Sequence, residues 1–141
     1  DITALGADAA VITLPDSLCW LLNIRGSDVP RTPIVQGFAI LSSSGAIALF
    51  GDPAKFDSLE FSENVTLMGW GAFEAYLSKF KDRMLIDPAS LPQATLQALE
   101  QGAVQILRGT DPFALSTACK NQTQLNGRHP AHMLDEPARV H

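Results

Sequence analysis

The chain has 141 residues, 46% of them hydrophobic and 18% charged, with a net charge of −5. That is one globular domain with enough apolar mass to bury a core unaided by disulfides or metals. The ten Lys and Arg are scattered, so no basic stripe exists for a run of phosphates, which excludes a nucleic-acid partner. No apolar run approaches the ~18 residues of a membrane-crossing helix, and the expectation is no membrane partner.

In chain order, residues 9–13 form a short apolar run that reads as a buried strand. Pro15 and Asp16 open a helix, with Asp16 or Ser17 suited to cap it and Leu18, Leu21 and Leu22 on one face. Residues 37–42 and 46–50 are apolar segments joined by Ser43-Ser44-Gly45, a hairpin signal. Residues 53–59 read as helix and 65–68 as strand. Residues 72–80 read as helix, with Phe73, Tyr76, Leu77 and Phe80 on one side. A strand over 83–87 ends at Pro88. A helix over 92–101 has Pro92 in its first turn and Gly102 just past its end. A strand over 103–107 and a helix over 111–119 complete the pattern. Alternating strands and helices imply an α/β fold, a mixed β-sheet with flanking helices, partly parallel with an antiparallel pair over 37–50. From residue 120 onward the chain is polar and holds all three histidines, Pro130 and Pro137, as a linker or the start of another element would.

Most chemical motifs have dull explanations. His129 and His132 lack the i,i+4 spacing and intervening base of a helical metal motif, and Pro130 lies between them. Gly26-Ser27-Asp28 lacks the frame of a nucleophile elbow. Gly69-Trp70-Gly71 has no phosphate-loop lysine and reads as a turn before a helix. Asn64-Val65-Thr66 and Asn121-Gln122-Thr123 match the short glycosylation pattern by chance. Cys19 and Cys119 show no metal-like spacing and read as buried, reduced thiols of a cytoplasmic protein. The absent leader pattern and the start at Asp1 suggest a processed protein or an excised piece.

The polar groups of residues 15–33 are harder to dismiss. Asn23, Arg25, Ser27 and Asp28 converge on a glycine bend that follows Trp20 and precedes an apolar strand. An arginine held by a neighbouring aspartate presents a rigid fork to a carboxylate or peptide carbonyl. Equally, a helix closing at Gly26, with Arg25 beside its dipole and Asp28 starting a turn, explains the same residues.

The segment from Asp16 to Pro30, centred on Trp20-Leu21-Leu22-Asn23-Ile24-Arg25-Gly26-Ser27-Asp28, closely resembles Xaa-Pro aminopeptidases (aminopeptidase P) in their non-catalytic creatinase/prolidase-type N-terminal domain. The resemblance begins near Ala7-Asp8-Ala9 and continues through Phe50-Gly51-Asp52-Pro53-Ala54-Lys55, Ile86-Asp87-Pro88-Ala89 and Ala118-Cys119-Lys120-Asn121. It implies a ribonuclease H-like mixed sheet over 1–120, with 121–141 as an exit segment toward an absent catalytic domain. Lys120-Asn121, Leu125, Gly127, Ala131-His132 and Asp135 fit that exit, while Gln124, His129, Pro130 and Pro137 depart from the family pattern. Members of the family cleave the bond before proline with two divalent metal ions held by two Asp, one His and two Glu. Those ligands lie in the separate catalytic domain, so no cofactor and no catalytic residue are expected in this chain. The resemblance further implies the catalytic domain of the same polypeptide as partner, a homodimer, and a peptide substrate in the intact enzyme. Trp20, Asn23, Arg25, Ser27 and Asp28 are the candidates for substrate access or a domain interface. A free-standing α/β ligand-binding module, with its ligand near Arg25, is the competing reading.

Overall fold

β1 (Ala9–Ile12) is apolar at every position because both of its faces are covered. Ala10 and Ile12 join one core with Leu18, Ala39, Leu49 and Phe56, while Ala9 and Val11 join a second with Ile40, Phe50, Leu77 and Ile86. The computed structural model describes residues 2–57 and 59–114. Within them a six-stranded sheet separates two helical layers. α1 (Pro15–Leu22) and α2 (Pro53–Phe56) cover one face; α3 (Phe73–Ser78) and α4 (Gln93–Gln101) cover the other.

The remaining strands are β2 (Phe38–Ser42), β3 (Ile47–Gly51), β4 (Val65–Gly69), β5 (Arg83–Ile86) and β6 (Gln105–Arg108), in the order β4-β3-β2-β1-β5-β6. β2 is antiparallel to both β1 and β3, whereas β3 and β4, β1 and β5, and β5 and β6 pair in parallel. Five strands therefore point the same way and end at one edge. The expected hairpin is present, with Gly45 at φ 89° turning the chain between β2 and β3. Asp8 ties the starts of β1 and β5 together, accepting the Arg83 backbone N–H at 3.1 Å and its guanidinium at 3.0 and 3.2 Å.

Element boundaries depart from expectation where local chemistry decides. Neither Asp16 nor Ser17 caps α1: Pro15 occupies its first turn, Leu14 is the cap residue, and Ser17 is buried. α2 stops at Phe56, which drops into the core below Gly51, so the helix expected over 53–59 lasts one turn. Residues 70–72 form a 3₁₀ turn before α3. Pro92 caps α4 from outside the helix, and Gly102 follows it in extended rather than left-handed backbone. The helix expected over 111–119 falls largely outside the described residues, as do Cys119 and the three histidines.

Candidate functional site

α1 ends at Leu22, four residues before Gly26. Asn23 takes the left-handed conformation at φ 52°, a residue type that tolerates it, and its N–H returns to Trp20 O at 3.3 Å. Ile24 then turns into the core, with its N–H on Cys19 O at 3.0 Å. Gly26 is required by proximity: a Cβ there would lie 2.1 Å from Val35 Cγ2 and 2.9 Å from Ile34 O. The two limbs of the bend are joined again where the Val35 N–H donates to Cys19 Sγ at 3.3 Å, inside the core. Beyond Gly26 the chain makes a tight turn. The Asp28 N–H reaches Ile34 O at 3.3 Å, the Thr32 N–H reaches Val29 O at 3.1 Å, and Arg31 sits at φ 63° after Pro30.

Asp28 is the anchor of this loop. Its carboxylate accepts the Gln36 N–H at 2.7 Å and meets Lys55 Nζ of α2 at 2.9 Å. The Gln36 hydrogen bond first, and the Lys55 ammonium second, hold its carboxyl below the usual carboxylate range. Asp28 does not hold Arg25, which is one of the two arrangements their spacing leaves open. Arg25 is exposed, and its Nη1 donates to the adjacent Ile24 carbonyl at 2.9 Å, the one hydrogen bond its guanidinium makes among the described residues. Asn23 and Ser27 are exposed on the same bend. Trp20 projects from α1 and stacks on Phe113, with ring centroids 5.4 Å apart. The structure thus joins Asp28 to Gln36 and Lys55, and Trp20 to Phe113, rather than gathering all five candidates into one cluster. Lys55 and Phe113 lie too far along the chain for any local spacing to have paired them.

The parallel strands end beside this loop, at the edge where open α/β sheets place their ligands. There the Thr13 hydroxyl donates to Ser90 O at 3.1 Å, and Asp87 accepts the N–H groups of Ala89 and Asp111, both at 2.9 Å. Asp111 accepts the Phe113 N–H at 2.7 Å with Oδ1, while its buried Oδ2 has no partner among the described residues. Among the described residues no three His, Cys, Asp or Glu side chains come together, so the described residues do not fit a di-metal centre. None of the described helices is long and apolar enough to cross a membrane.

Residues 1–124 match the family described as the creatinase/prolidase N-terminal domain. The chain belongs to that family. It is 31% identical to Aminopeptidase P1 of Arabidopsis thaliana, over 96% of this chain and 25% of that protein. It is 33% identical to a probable Xaa-Pro aminopeptidase P of Laccaria bicolor, over 95% of this chain and 22% of that one. The chain therefore spans about a quarter of the length of these relatives. Among solved structures, the X-prolyl aminopeptidase of Caenorhabditis elegans, described as a cytosolic enzyme with a di-nuclear active site, superposes with a TM-score of 0.71 at 24% identity. That match covers 89% of this chain and 22% of that one, and it shows the fold.

Proposed function

We propose that this chain is a non-catalytic domain of a metal-dependent Xaa-Pro aminopeptidase, inert alone, that supports substrate access and packs against the rest of the enzyme. The observation that carries the reading is Arg25. An exposed guanidinium, with one hydrogen bond among the described residues, stands on a bend whose backbone is pinned by Cys19, Gly26 and the Asp28–Lys55 pair. Such a fork is preorganised for a peptide carbonyl or carboxylate. Asn23 and Ser27 add exposed polar groups beside it. The metal-bearing catalytic domain belongs to the same polypeptide, in a cytoplasmic enzyme that pairs with a second copy, and the two divalent ions reside there.

The test is a segment swap in which this chain replaces the matching segment of the C. elegans enzyme. In that protein Arg25→Ala is expected to raise KM for a Xaa-Pro peptide by roughly tenfold, the loss of one hydrogen bond to a charged group, with kcat little changed. Unchanged KM and kcat would remove Arg25 from substrate access.

A further inference from the structure

The edge at which the five co-directional strands end is also where the described chain leaves the sheet, through Gly109 to Ala114. It carries aromatic surface on both layers. On the α3–α4 side, Trp70 follows β4 immediately and stays 44% exposed, set edge-on against Phe38 with ring centroids 5.1 Å apart. Phe38 in turn leans on Phe73 at 5.1 Å. These rings, with Pro92, Thr95 and Glu74, line an open groove of about 510 Å³. Gly69 and Gly71 flank Trp70, and a Cβ at either would meet nothing within 4 Å. On the α1 side, Trp20 is 47% exposed over Phe113, and Leu14 is exposed at the end of β1. Asp111, on the exit itself, is 5% exposed, and one of its carboxylate oxygens has no donor among the described residues. A buried acceptor left unmatched is costly, and it calls for a donor from outside the described residues.

We infer that this carboxyl edge, with the Trp70 groove at its centre, is the surface on which the part of the full-length enzyme that lies outside this chain docks. The inference rests on the reading of the chain as a supporting domain, and it names the face that does the supporting. Chain direction favours that occupant: the exit lies on the same edge, and about three quarters of the matched relatives' length lies outside this chain. The chemistry agrees, since an aromatic groove with a polar rim suits an apolar anchor, and Asp111 supplies an acceptor for a donor beside it.

Hydroxyl-radical footprinting of the 141-residue chain and of the segment-swapped C. elegans enzyme tests this, with Tyr76 of α3, which is 36% exposed, as internal reference. Trp70 oxidation relative to Tyr76 is expected to fall roughly fourfold in the swapped enzyme, as exposure drops from 44% to that of a buried side chain of about a tenth. A swapped polypeptide in which Trp70 keeps the reactivity of the isolated chain overturns the inference, whether or not activity survives. Protection that appears in the isolated chain as its concentration rises overturns it also, by making the groove a contact between copies. Protection of Trp70 in a swapped enzyme indifferent to Arg25→Ala leaves the docking face standing and removes the substrate-access role.

Discussion

Replacing Gly26 by alanine tests the packing that holds the bend in place. The added Cβ would lie 2.1 Å from Val35 Cγ2 and 2.9 Å from Ile34 O. Ordinary carbon–carbon contact is about 3.5–4.0 Å, so the methyl falls short by roughly 1.5 Å of the distance Val35 requires. Val35 is buried and tied by its N–H to Cys19 Sγ, and the second obstacle is a backbone carbonyl. Neither can retreat without moving the limb 34–36, whose Gln36 N–H is held by the Asp28 carboxylate that Lys55 pairs with. The expected cost is that of overpacking a filled core, about 1–3 kcal/mol. Urea unfolding of the chain should show it as a lower midpoint at unchanged slope, and each kcal/mol should lower Tm by about 2–4 °C. Val35→Ala removes one of the two obstacles, so the double mutant should recover part of the loss, a coupling of about 1 kcal/mol. A Gly26→Ala chain with wild-type midpoint would refute the close approach of the two limbs.

Cys19→Ala removes the acceptor of the Val35 N–H and should cost about 1–3 kcal/mol with faster hydrogen exchange at that amide; unchanged exchange would show the sulfur is no acceptor. Asp28 binds fewer protons folded than unfolded between its ordinary pKa and its lowered folded value, so its contribution is complete above about 3.9 and is lost as pH falls through the folded value. Urea midpoints from pH 5 downward should therefore fall less steeply in Asp28→Asn, and parallel profiles would contradict the Gln36 and Lys55 interactions. Asp52 caps α2 by accepting the Ala54 N–H at 3.1 Å, so Asp52→Ala should destabilise the chain by about 0.5–2 kcal/mol in the same assay, with no change counting against the cap.

The sheet was readable where its signals are local. Alternating apolar segments mark β1, β2 and β3, and Ser43-Ser44-Gly45 marks the turn between two of them, because hairpin chemistry is written within a few residues. Helix ends were harder. α1 stops at Asn23 rather than Gly26, because Ile24 must reach the core and Gly26 is reserved for contact with Val35. α2 ends early for a related reason, since Phe56 is drawn beneath Gly51. The bend's electrostatics were not readable at all. Asp28 lies three residues from Arg25 yet pairs with Lys55 of a helix on the far side of a hairpin, and only the sheet order brings those two together. The resemblance of residues 16–30 to Xaa-Pro aminopeptidases, by contrast, agrees with the family match and needs no tertiary knowledge.

The central claim is that this domain shapes access and packing while bond cleavage belongs to the remainder of the enzyme. Incubating the purified 141-residue chain with a Xaa-Pro peptide and saturating manganese or zinc tests it most directly. The account expects no release of the N-terminal residue above the metal-only control. Steady turnover that a chelator abolishes and added metal restores would contradict it.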